Sequence, residues 1–138
     1  MTSSVRYDGA LRTTCIHLNS GNSIETDAPL DNHGRGERFS PTDLMATSLA
    51  TCMITVMGIR ARNSLGFDLD GISIDVKKIM KSDPRRVGAI ELYFAIPEHL
   101  RGLDANTRKV LKDVGEGCPV MLSIHPEIEV TVDWGDWS

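Results

Sequence analysis

The chain has 138 residues, 41% of them hydrophobic and 25% charged, with a net charge of −4 at neutral pH. Those totals fit one globular domain spanning residues 1–138, with enough length to bury a core unaided. They exclude the basic footprint of a nucleic-acid binder.

Taken in chain order, Met1 to Asp8 has no apolar h-region, so no signal peptide is expected there and the protein is expected in the cytoplasm. Leu11 to Leu18 is β-prone, Ser20-Gly21-Asn22 predicts a turn, and Ser23 to Thr26 predicts a short returning strand. Residues 27–40 hold Pro29, Asp31, Asn32, Gly34 and Gly36 and predict a long loop, a common carrier of function.

The strongest helix signal follows. Ser40 is a good N-cap, Pro41 suits the first helical position, and Asp43 completes a Ser-x-x-Asp capping box. Gly66 is the expected stop, giving a helix from Pro41 to Leu65 about 37 Å long. Met45, Leu49, Cys52, Val56 and Ile59 form one apolar stripe, and Ala46, Ala50, Met53 and Met57 form a second beside it. A helix apolar on so much of its surface is buried on several sides, which a chain this small supplies by sharing the helix with a second copy. The uncharged run from Leu44 to Ile59 is 16 residues, short of a membrane span, and contains four hydroxyl residues.

Two alternating strands come next, one through Ile72, Ile74 and Val76 and one through Ile90, Leu92, Phe94 and Ile96, with Pro97 ending the second. A helix is expected from about Asp104 to Val114, closed by Gly115 and Gly117. Cys118 to Ile124 is apolar and predicts a helical turn or a loop, and Ile128, Val130 and Val132 predict a last strand. Paired strands around helices give an α+β class with mostly antiparallel pairing.

Three cysteines is an odd number in a chain without an export signal, so catalytic, metal-binding or inert thiols are favoured over structural disulfides. Cys52 reads either as a small buried hydrophobe or as a reactive thiol. Burial raises a thiol's pKa, so reactivity needs a cation, and Arg35 and Arg38 are the nearest in sequence. Cys118, in Gly117-Cys118-Pro119-Val120, reads either as a turn cysteine filling a gap or as a thiol acidified at the start of a helical turn. Cys15 lies in a strand and reads as structural. There is no Cys-x-x-Cys pair, no His pair at i, i+4, no Gly-x-Ser-x-Gly elbow and no phosphate loop, so neither metal nor cofactor is expected.

The run Phe39-Ser40-Pro41-Thr42-Asp43-Leu44-Met45-Ala46-Thr47-Ser48-Leu49-Ala50-Thr51-Cys52 resembles the OsmC/Ohr family, whose members open a helix with a proline, an acid and a leucine and carry a cysteine at this distance. Gly117-Cys118-Pro119-Val120 resembles the family's second cysteine motif, and the order of elements matches over nearly the whole chain. The resemblance implies an OsmC-like fold in which antiparallel sheets wrap two long central helices of an intertwined homodimer. It also implies a thiol-dependent peroxidase of oxidative or osmotic stress defence, acting on organic hydroperoxides or hydrogen peroxide and recycled by an external thiol or lipoyl-type reductant. Cys52 would then be peroxidatic and Cys118 resolving. Family peroxidases add an arginine from the N-terminal strands and a glutamate just before the helix. Here Thr42 follows Pro41, the nearest acid is Asp43, and Asn19, Ser20 and Asn22 occupy the expected arginine region, leaving Arg35 or Arg38 to stand in. The competing expectation on the same scaffold is a non-catalytic protein that binds a small apolar ligand at the dimer interface.

Overall fold

The computed structural model of the chain describes residues 1–138 and divides into two compact units, Met1–Met45 and Ala46–Ser138. The fold is α+β with two three-stranded sheets.

In the first unit, β1 (Ser3–Gly9), β2 (Arg12–His17) and β3 (Ser23–Asp27) form an antiparallel sheet in sequential order. The strand β1 has only Val5 and Tyr7 as β-formers and was not predicted. It is imposed by its partner: Val5 lies opposite Cys15 and Tyr7 opposite Thr13. The β1–β2 turn puts Gly9, Ala10 and Leu11 in the left-handed region, at φ 87°, 50° and 61°. The long loop is closed at its base, where the Asp27 amide donates to the Phe39 carbonyl at 3.1 Å. One 3-10 turn, Leu30–Asn32, interrupts it.

The capping box forms as expected. The Asp43 amide donates to Ser40 Oγ at 3.1 Å, and the Ser40 amide donates to Asp43 Oδ2 at 2.8 Å. This opens α1 (Pro41–Arg60), which continues as a wider π turn through Ala61–Leu65. Gly66 ends it at φ 80°, its amide bonding the Ala61 carbonyl. The second predicted stripe is the buried one: Ala46, Ala50, Met53 and Met57, joined by Leu49 and Ala61. Of the first stripe, Met45, Cys52 and Val56 are half-buried and Ile59 is 55% exposed, because one chain covers only one side of the helix. The segment Pro41–Leu65 is long and apolar enough to span a membrane, a test that the core helix of a soluble protein also passes.

In the second unit, β4 (Ser73–Ser82) and β5 (Arg85–Ala95) pair antiparallel across a turn holding the cis Asp83–Pro84 bond. The final strand β6 (Glu129–Asp133) lies parallel to β5. A parallel return needs a long crossover, supplied here by α2 (Glu98–Arg101), α3 (Ala105–Glu116) and α4 (Pro119–Ser123). Asp104 caps α3, its side chain accepting from the Asn106 and Thr107 amides. The expected end of α3 is corrected by two residues, from Val114 to Glu116. Gly115 is inside the helix and buried, and only Gly117 caps it. The C-terminal tail closes the core: Trp137 Nε1 donates to the Leu100 carbonyl at 2.9 Å, and Trp134 packs on Phe94 with ring centroids 4.5 Å apart.

Candidate functional site

The site is built around Cys52 and Cys118. Cys52 sits mid-way along α1 on its half-buried side, one residue from the buried stripe. Cys118 follows the end of α3, is 1% exposed, and is the N-cap of α4. Pro119 at the first helical position fixes that cap. The Cys118 amide donates to the Gly115 carbonyl at 3.1 Å, and Cys118 Sγ accepts from the Met121 amide at 3.4 Å. Cys52 lies close enough to push the Cys118 thiol up, so the fold brings the two thiols into one neighbourhood.

The electrostatics decide between the two readings of Cys118, a gap-filling turn cysteine or a thiol acidified by the cap, in favour of the first. Burial raises the thiol, the Met121 amide pulls the other way and is outweighed, and the nearby Cys52 thiol adds to burial, so the Cys118 thiol is pushed up. At neutral pH it is a protonated thiol. Dry surroundings strip the thiolate of more hydration than one amide restores.

The first unit carries a cluster of paired charges of its own. Arg12, at the start of β2, lies directly opposite Asp27 in the sheet register. Its Nε donates to Asp27 Oδ1 at 2.7 Å and its Nη2 to Asp27 Oδ2 at 2.8 Å, a two-point clasp. The same Nη2 donates to Glu37 Oε2 at 2.8 Å, and the Glu37 amide donates to Asp27 Oδ2 at 3.1 Å. Asp27 is 1% exposed; the Arg12 hydrogen bonds hold its carboxyl down at about 2, against the opposing cost of burial. Arg12 is correspondingly held charged more firmly than an ordinary arginine, first by Asp27 and then by Glu37.

Of the sequence-predicted residues, Cys52 and Cys118 meet. Arg38 donates from Nε to Glu25 Oε2 at 2.9 Å and from Nη1 to the Glu37 carbonyl, with its side chain 48% exposed. Arg35 contributes its charge to the field at Asp27. Asp43 is the capping-box acid described above. Cys15 is half-buried in β2. Sequence reading missed the Arg12–Asp27–Glu37 cluster. Its signal was present as opposite charges at the two ends of a β2–β3 pairing, visible once the register is known. No group of three or more His, Cys, Asp or Glu side chains is arranged to hold a metal ion.

Residues 34–133 match the family model described as OsmC-like protein. No curated protein matches the chain. Among solved structures, one from Psychrobacter arcticus, described as an osmotic stress induced and detoxification response protein, is 48% identical, with 96% of this chain and 94% of that one covered and a TM-score of 0.90. An organic hydroperoxide resistance protein from Legionella pneumophila shares the fold at 19% identity, TM-score 0.72 and 96% coverage of both chains. The organic hydroperoxide resistance protein OhrB of Bacillus subtilis does so at 16% identity and TM-score 0.63, covering 96% of this chain and 97% of that one.

Proposed function

Because the chain belongs to the OsmC-like protein family, we propose that it is a thiol-dependent peroxidase that reduces organic hydroperoxides or hydrogen peroxide in the stress response of the cytoplasm. The observation that carries this reading is the nearness of the Cys52 and Cys118 thiols at the half-buried side of an apolar helix. Hydroperoxide resistance in the names of similar structures supports it.

The chemistry balances with the residues at hand. The Cys52 thiolate attacks the near oxygen of ROOH, the O–O bond breaks, and the alkoxide leaves and takes a proton as ROH. Cys52 becomes a sulfenic acid. The Cys118 thiol then attacks that sulfur, gives up its proton, and water leaves as the disulfide forms. Two electrons from an external dithiol, such as a lipoyl-type reductant, restore both thiols. Burial of Cys118 keeps it protonated until the sulfenic acid forms, so it does not compete for peroxide.

The thiolate needs a cation. Arg35 and Arg38, in the loop that leads to α1, are the candidates. The uncovered stripe of α1 that includes Val56 and Ile59 supports a homodimer in which a second copy shields the site.

The test is consumption of cumene hydroperoxide, tert-butyl hydroperoxide and hydrogen peroxide with dithiothreitol or dihydrolipoamide as reductant. Turnover should vanish in Cys52→Ser. In Cys118→Ser a sulfenic acid should accumulate and be trapped by a 1,3-dione. Wild-type turnover no greater than that of Cys52→Ser overturns the reading and leaves binding of an apolar ligand as the use of the same face.

A further inference from the structure

We infer that Gly115 is the positioning residue that sets the approach of Cys118 to Cys52, an inference that rests on those two thiols being the working pair. A helix interior disfavours glycine relative to alanine, yet α3 carries one at a buried position in its last turn. The reason is contact. A Cβ on Gly115 would lie 2.9 Å from Met53 Cγ, 2.9 Å from Met57 Sδ and 3.2 Å from Met57 Cγ. Both methionines have no exposed surface, so neither can swing its side chain into solvent to make room.

Each side of this contact leads directly to a thiol. Met53 is the residue after Cys52 on α1. On the other side, the Gly115 carbonyl accepts the Cys118 amide at 3.1 Å, and the intervening Gly117 amide bonds the Asp113 carbonyl at 3.1 Å. Cys118 therefore hangs from the same turn of α3 that rests on the Cys52 segment. The missing Cβ lets that turn settle on α1. A disulfide tolerates a narrow range of Cα and Cβ separations, so a small displacement of α3 is felt at the sulfurs before it is felt elsewhere.

The test measures disulfide formation without peroxide. Cys52 and Cys118 give two electrons to oxidised glutathione, whose S–S bond breaks to two thiols as the protein disulfide forms. Wild type, Gly115→Ala, Gly115→Val and Gly115→Ala with Met57→Ala are equilibrated across glutathione ratios, and the disulfide fraction is read by alkylation and mass. Gly115→Ala should lower the equilibrium constant about tenfold, which moves the potential about 30 mV more positive. Gly115→Val should lower it further, and removing the Met57 side chain should restore part of the loss, since the Met53 contact remains. Ile90→Val, which thins the core on β5, should lower thermal stability and leave the constant unchanged. If Gly115→Val does not fold, Gly115→Ala carries the test, since alanine favours the helix. A constant for Gly115→Ala within about twofold of wild type, or an equal shift in Ile90→Val, overturns the inference. Wild type that forms the disulfide in glutathione but consumes no hydroperoxide defeats the peroxidase reading and leaves the positioning role standing. Wild type that forms no intramolecular disulfide at any ratio defeats the positioning role.

Discussion

Joining Cys52 to Cys118 should change the stability of the protein by an amount that can be worked out. The bond closes a ring of roughly 66 residues, which on the chain-entropy model removes about 4 kcal/mol of freedom from the unfolded state at 25 °C. Unfolding a domain of 138 residues carries an entropy of about 290 cal/mol/K near its midpoint, so 4 kcal/mol raises Tm by about 15 °C. Two costs act against this. Cys118 Sγ caps α4 through the Met121 amide, a weak bond that loses strength once the sulfur is turned to Cys52. Any strain in the bridge subtracts further. We expect the oxidised protein to melt about 10–15 °C above the reduced one. The assay is calorimetry at fixed protein concentration and pH 7, after treatment with one equivalent of hydroperoxide or with dithiothreitol. Cys52→Ser and Cys118→Ser should show no such difference. Equal melting of oxidised and reduced wild type, with an intramolecular disulfide verified by mass, would refute the reasoning. The fold would then hold the sulfurs in a geometry whose strain cancels the entropy.

Three further outcomes are expected. Arg38→Gln or Arg35→Gln should lower hydroperoxide turnover about a hundredfold, in the range of a lost electrostatic group; turnover within about threefold of wild type in both variants would take the cation's role away from the loop arginines. Asp43→Ala should cost about 1 kcal/mol in urea unfolding through the lost capping box and leave kcat unchanged, so a large fall in kcat would give Asp43 a chemical role beyond the cap. Folding holds the Asp27 carboxyl at about 2, below the roughly 3.9 of an unfolded chain, so the folded state binds that proton less tightly. Its stabilisation is complete above pH 4 and is lost as the pH falls from about 4 toward 2, and Asp27→Asn should flatten the urea midpoint across that window.

The long helix and much of the second unit were legible because their signals are local. The Ser40–Asp43 box, the Gly66 stop and the alternation through Ile74, Val76, Ile90 and Leu92 each depend on residues a few positions apart. What was illegible depends on pairing. The strand β1 has little β-propensity of its own and exists because β2 supplies a partner. Arg12 carries no local signal, and only the β2–β3 register sets it against Asp27. Gly115 looked like a helix terminator, since glycine ordinarily is one. Only the nearness of Met53 and Met57 shows that it is a contact surface. The two stripes of α1 were both visible in sequence, but which one a single chain buries is decided by where α3 packs.

Under the peroxidase reading, the different surroundings of the two thiols explain why neighbouring cysteines need not compete. Cys118 is almost fully buried and its proton is held by that burial. Cys52 is half-buried on the side of α1 that one chain leaves partly open. Under the peroxidase reading these environments divide the labour. A hydroperoxide can approach only the more accessible sulfur, and the protonated Cys118 stays unreactive toward it because the thiolate is the nucleophile. Once Cys52 carries an electrophilic sulfur, Cys118 needs only to lose its proton across a contact that already exists. Burial, which makes a lone thiol inert, here delays the second thiol until the first has reacted.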